Sequence, residues 1–315
     1  MSPQLPVTPD NFARAESDLY FAGMVGDGGF GAFSHHREPA AIDNQLVIRL
    51  NRDTLYSAAV FDLDAGPVTL TLPDSAGRFM SAQIINEDHY TTEVAYAPAT
   101  LTLTRDTVGT RYVMAAVRTL VDPDDAADVA AVHALQDAIG VSQSDSGVFV
   151  VPQWDPVSQK TVRDALIVLS TTLSDTSRMF GARTEVDPVR HLIGSAFAWG
   201  GNPERDALYL TVVPAANDGQ TVHRLVVHEV PVDGFWSISV YNKDGYFEPN
   251  PQAAYSVNNI TGVKEQDGST VIQFGGTGAA NLLPITAGWN YLVRLYRPRP
   301  EILDGSWTFP IARPV

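Results

Sequence analysis

A chain of 315 residues with a formal charge of −15 is long enough for two domains and would repel the phosphates of nucleic acids and anionic membranes, so neither is expected as a partner. It has no cysteine, which excludes disulfide scaffolds, thiolate nucleophiles and cysteine-ligated metal centres. A charged share of 18% beside 44% hydrophobic residues is that of a folded protein rather than a disordered one.

Met1 to Asp10 lacks a basic segment followed by an apolar run, and no stretch reaches the roughly 18 apolar residues of a membrane span. The chain as it stands is expected in the cytoplasm, or in the periplasm or outside the cell if a leader has been removed. Thr8-Pro9-Asp10 has the residues of a helix start, and Phe12, Ala15, Leu19 and Ala22 follow at helical spacing. That helix is expected to end before Gly26-Asp27-Gly28-Gly29, which lacks the GxxxxGK[ST] pattern of a phosphate loop.

From Leu46 to Leu120 the pattern is β: Val68, Leu70 and Leu72 alternate with threonines, as do Leu101 and Leu103, between turns rich in Gly, Pro and Asp. No helix fits between successive strands, so the sheets are expected to be antiparallel, in a sandwich or barrel. The middle is helical. Helices are expected over Asp122 to Ile139, with the stripe Val129, Val132, Leu135 and Ile139, and after Asp155-Pro156 and Asp187-Pro188. Beyond Asn202 the β pattern returns, with Trp236, Ile238 and Val240 on one face of a strand and Ser237, Ser239 and Tyr241 on the other. Asn242-Lys243-Asp244-Gly245 and Gln266-Asp267-Gly268-Ser269 read as hairpin turns, and the prolines from Pro298 onward predict an extended tail.

Several of these segments carry a resemblance. Asn51-Arg52-Asp53-Thr54-Leu55-Tyr56-Ser57, Gly66-Pro67-Val68 and Gly77-Arg78-Phe79 resemble domain of unknown function 1254. Val232-Asp233-Gly234-Phe235-Trp236-Ser237, Asn250-Pro251, Tyr255-Ser256, Asn281-Leu282-Leu283-Pro284, Leu295-Tyr296-Arg297-Pro298 and Leu303-Asp304-Gly305-Ser306-Trp307 resemble its companion, domain of unknown function 1214. The resemblance implies two jelly-roll-like antiparallel β-sandwich domains with helices between them; it brings no activity and no catalytic residues. The expected organisation is an N-terminal helix and loop (1–40), a β-sandwich domain (41–121), a helical connecting layer (122–201) and a second β-sandwich domain (202–315).

Ionisable chemistry concentrates in two polar knots, Asn51 to Tyr56 and Asn86 to Tyr90. Arg52 and Asp53 read either as a buried ion pair or as a general base, Asp53, beside a guanidinium that holds a carboxylate or phosphate. Glu87, Asp88 and His89 read either as a solvated turn or as acid/base and metal-binding groups, although strand alternation lets only Glu87 and His89, or Asp88 with Asn86 or Tyr90, converge unless a turn intervenes. His35-His36 reads as a surface loop, and no GxSxG elbow or HExxH pair is present. Arg294 shares a strand face with Leu292 and Tyr296, so it must meet a buried acid or look into a cleft.

The resulting expectation is a small-molecule enzyme, a hydrolase or lyase, with Asp53, Glu87 and His89 as catalytic groups in a cleft between two β domains. Asn51, Arg52, Tyr56, Tyr90, Trp236, Tyr241 and Arg294 are the expected substrate contacts. A divalent metal is compatible with the acids and histidine, whereas no nucleotide or flavin is expected, and the partner is a small polar molecule. The alternative is a non-catalytic module that binds a carbohydrate or another small ligand on tyrosines and tryptophans.

Overall fold

The computed structural model describes residues 4–45 and 48–315. Met1 to Pro3 and the start of the expected β region at Leu46 lie outside the described residues. In chain order the elements are α1 (Phe12–Gly26), β1 (Ser34–His35), β2 (Thr54–Asp62), β3 (Val68–Leu72), β4 (Met80–Asn86), β5 (Thr91–Tyr96), β6 (Ala99–Leu103), α2 (Arg105–Val108), β7 (Tyr112–Leu120), α3 (Ala126–Asp137), β8 (Gly140–Ser142), α4 (Pro156–Ser170) and α5 (Pro188–Phe197). There follow β9 (Ala207–Val212), β10 (His223–Val227), β11 (Trp236–Tyr241), β12 (Ser256–Asn258), β13 (Thr270–Phe274), β14 (Leu282–Leu283), β15 (Asn290–Tyr296), α6 (Pro300–Leu303) and β16 (Arg313–Pro314). The protein is mainly β, with 28% strand against 19% helix, and its sheets are stacked rather than closed into a barrel.

The chain divides into two compact units, residues 1–37, 56–120 and 130–204 in the first and 38–55, 121–129 and 205–315 in the second. In the first, a five-stranded sheet of order β1-β2-β7-β4-β5 and a three-stranded sheet of order β6-β3-β8 share an apolar core. Alternation decides which residues meet there: Ala59 and Phe61 of β2, Ile84 of β4, and Val113 and Ala115 of β7 face Val68, Leu70, Leu101 and Leu103. The opposite face of the larger sheet presents Val60, Tyr112 and Met114 to Phe21 of α1, while α1, α4 and α5 join through Phe12, Ala15, Leu166 and Ile193.

In the second unit, sheets of order β14-β13-β10-β16 and β12-β11-β15-β9 enclose a core of Leu225, Ile272 and Phe274 from one and Ile238, Val240, Tyr291 and Val293 from the other. The outer face of the β11–β15 sheet carries Tyr241 and Leu292, and Ile42 and Leu50 from the 38–55 segment cover them.

Local signals gave some helix boundaries and missed others. Asp155 and Asp187 cap α4 and α5 as the Asp-Pro starts predict, each carboxylate accepting from two backbone N–H groups of the first turn. The opening helix begins at Phe12, because the Asn11 side chain accepts from Thr8 N at 2.8 Å and closes a turn ahead of it. Its buried face also departs from the expected stripe. Leu19 is 51% exposed, whereas Glu16, Ser17 and Asp18 are buried. Helix α3 starts at Ala126 rather than near Asp122, since the Asp122 and Asp125 carboxylates accept from Asp124 N and Ala127 N and hold the preceding residues in turns. The tail contains the short helix α6, with Pro300 at its first position, where a missing N–H costs nothing.

Candidate functional site

The Asn86–Tyr90 knot belongs to the first unit and is a turn folded inward. Asn86 Oδ1 accepts from Asp88 N at 3.0 Å and Tyr90 N at 2.9 Å, and its Nδ2 donates to Val108 O at 3.0 Å. His89 takes a left-handed backbone (φ 65°), and Glu87 and His89 are both buried. Glu87 Oε2 accepts from Tyr112 N at 2.9 Å, while the more exposed Asp88 accepts from Arg14 Nη2 at 2.6 Å. The expectation of a solvated turn is thereby corrected for Glu87 and His89.

His89 Nε2 accepts from Gly200 N at 2.8 Å, so the ring is neutral with its proton on Nδ1, a buried atom that meets no acceptor. Burial, and next the neighbouring His191, hold its pKa well below the ordinary value. The ring stacks with His191 at 5.4 Å and with Trp199 at 5.3 Å, and Tyr90 stacks on His191 at 4.4 Å.

The same region contains two buried acids of α1, Glu16 and Asp18, that lie outside the expected stripe of Phe12, Ala15, Leu19 and Ala22. Glu16 accepts from Arg163 Nε and Nη2, at 2.7 and 2.6 Å, and from Gln159. Asp18 Oδ2 accepts from Trp154 Nε1 at 2.8 Å, and Oδ1 is buried without a partner. Burial pushes the Asp18 carboxyl up to about 6, against the opposing hydrogen bond from Trp154 and with the Glu87 charge adding to the rise. A buried, polar-flanked acid is a signal only once the helix is docked.

Asn51 to Leu55 belongs to the second unit, and Tyr56 to the first. Asn51 Oδ1 accepts from Asp53 N at 2.9 Å, and its Nδ2 donates to the Tyr296 hydroxyl at 3.1 Å. Asp53 does not pair with its neighbour Arg52. Its Oδ1 accepts from Asn258 Nδ2 at 3.1 Å, and Oδ2 lies 4.0 Å from Arg294 Nη1. Adjacent residues in extended chain point to opposite sides, which carries Arg52 away, to donate to Ala40 O and lie over the Tyr255 ring. Arg294, buried, donates to Ser239 Oγ, the Tyr241 hydroxyl and the carbonyls of Arg49 and Leu50. Of the expected substrate contacts, Asn51, Arg52, Tyr241 and Arg294 thus gather in the second unit. Tyr56 lies in the first unit under the Arg118 guanidinium, 5.6 Å from its ring centroid.

Trp236 faces the interior of the second unit and also borders an open pocket of about 380 Å³. His228, Glu229, Lys264, Asp267 and Asn259 line that pocket with it. Asp267 is held ionised by the Ser269 hydroxyl and backbone N–H, which lower its pKa. Among the described residues, no three carboxylate or histidine side chains converge in a way that could hold a metal ion.

The description "Protein of unknown function (DUF1254)" matches residues 30–106, and "Protein of unknown function (DUF1214)" matches residues 212–300. The chain belongs to the proteins that pair these two domains of unknown function. Both polar knots of this DUF1254–DUF1214 protein fall in the first match, and Trp236, Tyr241 and Arg294 fall in the second. The DUF1254 match crosses the division between compact units, because its 38–55 portion packs with the C-terminal strands. No curated protein matches the chain. Among solved structures, the VPA0106 protein from Vibrio parahaemolyticus has a TM-score of 0.72 at 15% identity, over 98% of this chain and 100% of that one. An uncharacterised protein from Burkholderia cenocepacia has a TM-score of 0.52 at 13% identity, over 97% of this chain and 86% of the other. At such identities the likeness concerns the fold alone. No helix among the described residues of the DUF1254–DUF1214 protein is long and apolar enough to cross a membrane.

Proposed function

We propose that this protein is a binding module for a small polar molecule, and that the pocket beside Trp236 is where the molecule sits. The observation that carries this reading is the pocket itself, about 380 Å³ and therefore within the size range of small-molecule sites. Its lining mixes one aromatic ring with the ammonium of Lys264, the imidazole of His228 and the carboxylates of Glu229 and Asp267. That mixture suits a hydroxylated or zwitterionic ligand, which needs donors, acceptors and an apolar face together. The test is an NMR titration of the Trp236 indole signal, assigned with Trp236→Phe, against glucose, maltose, glutamate and lysine. A saturable shift that disappears in Lys264→Ala and in His228→Ala supports the reading. A Trp236 signal unmoved by all four compounds overturns it for the sugar and amino-acid classes.

A hydrolase or lyase remains the second reading, and Asp18 is what favours it. A carboxyl with a pKa of about 6 beside Glu87 can exchange a proton near neutrality, as a general acid or base must. In this reading Asp53, tied to Asn258 and Arg294, is a structural group, and Glu87 and His89 position the surroundings of Asp18. Release of nitrophenol from a panel of chromogenic esters and glycosides, lost in Asp18→Asn, would support it. Turnover undiminished in Asp18→Asn would remove it.

A further inference from the structure

We propose that the C-terminal unit holds an oxyanion, a carboxylate or phosphate group on a small molecule, against the guanidinium of Arg49. Three guanidiniums, of Arg49, Arg52 and Arg294, gather here in a chain whose net charge is −15. The segment 38–55 brings Arg49 and Arg52 to the sheet that carries Arg294, where Arg49 and Arg52 lie against tyrosine rings and the charges of Asp53 and Asp124 act on Arg52. Arg49 sits 5.7 Å from the Tyr241 ring centroid and Arg52 sits 5.4 Å from that of Tyr255, both tyrosines packing on Phe247. Asp53 accepts from Asn258 and forms its ion pair with Arg294, at 4.0 Å. Arg294 spends its donors on Ser239, Tyr241 and the Arg49 and Leu50 carbonyls, all neutral groups.

Arg49 is the unmatched member of the set. Its Nη1 is buried and meets no acceptor, and no carboxylate pairs with it among the described residues. Burial, together with the like charge of Arg294, depresses its pKa against the opposing influence of Tyr241. A buried N–H donor without a partner, on a cation beside a second cation, is costly unless something supplies both acceptor atoms and negative charge. An oxyanion supplies both, and the planar fork of a guanidinium fits two of its oxygens. The Tyr241 ring lies under that guanidinium. This site is independent of the pocket beside Trp236.

The experiment follows thermal unfolding of the full chain in sodium phosphate, sodium succinate and potassium chloride at matched ionic strength. A saturable rise in Tm with phosphate or succinate over chloride is expected. The stronger of the two identifies the natural group as a phosphate ester or a carboxylate. Arg49→Gln should weaken the apparent affinity at least about tenfold, as loss of a charged hydrogen bond does. Arg49→Lys keeps the charge and the packing on Tyr241 but loses the fork, and should also bind more weakly. Equal Tm values in all three salts, or an undiminished response in both variants, would overturn the assignment.

Discussion

Asp53 Oδ2 and Arg294 Nη1 lie 4.0 Å apart in the interior of the C-terminal unit, joining the approach to β2 to the last long strand, β15. Removing one partner of a buried pair leaves an uncompensated charge, which costs about 3–5 kcal/mol. Asp53→Ala should therefore lower the unfolding free energy by about 3 kcal/mol in urea denaturation. The double variant Asp53→Asn with Arg294→Met, which leaves no buried charge, should recover part of that loss. An Asp53→Ala midpoint equal to the wild type would remove the pair as a structural tie.

Asp18 makes stability depend on pH in a definite direction. Its folded-state pKa of about 6 exceeds the ordinary 3.8, so the folded protein binds the proton more tightly than the unfolded chain. The stabilising contribution is complete below the lower value and is lost as pH rises through the upper one, amounting to about 3 kcal/mol at most. Asp18→Asn should thus be the more stable protein at pH 7, with the two proteins converging toward pH 4. Parallel stability curves from pH 4 to pH 7 would contradict this.

His89 should remain neutral where an ordinary histidine is half protonated. Its acceptor role toward Gly200 N requires a bare Nε2, and its depressed pKa follows from burial and from His191. Nitrogen-15 shifts of the imidazole at pH 6.5 should show the Nδ1–H tautomer and no imidazolium. A His89 ring titrating near its ordinary value would refute the assignment. Here the unfolded chain binds the proton more readily, so the contribution of His89 is complete above the ordinary value and is lost as pH falls below it.

The helix caps offer a local control. Asp155 accepts from Val157 N and Ser158 N, and Asp187 from Val189 N and Arg190 N. Replacing either by Ala should cost about 1 kcal/mol in thermal or urea unfolding. A loss within about 0.2 kcal/mol would mean that water replaces the cap at no penalty.

These residues separate what short-range chemistry encodes from what folding adds. Period-two alternation, the Asp-Pro starts of α4 and α5, and the family motifs are properties of neighbouring residues, so they were legible without coordinates. They gave a mainly β protein with antiparallel sheets, an N-terminal helix and helices in the middle of the chain. The partner of Asp53 was not legible, because adjacency suggested Arg52 while alternation turned that side chain away and β15 delivered Arg294 instead. Nor was Asp18. A helix face becomes its interior only by docking, and α1 buries Glu16, Ser17 and Asp18 where the hydrophobic pattern pointed to Leu19. Glu87 and His89 likewise lie buried in a turn whose composition reads as solvated. The sequence by itself determined the elements and the family. Tertiary structure decided which charges are buried, which are paired and which, like Arg49, are left over, because desolvation and pairing depend on neighbours distant in the chain.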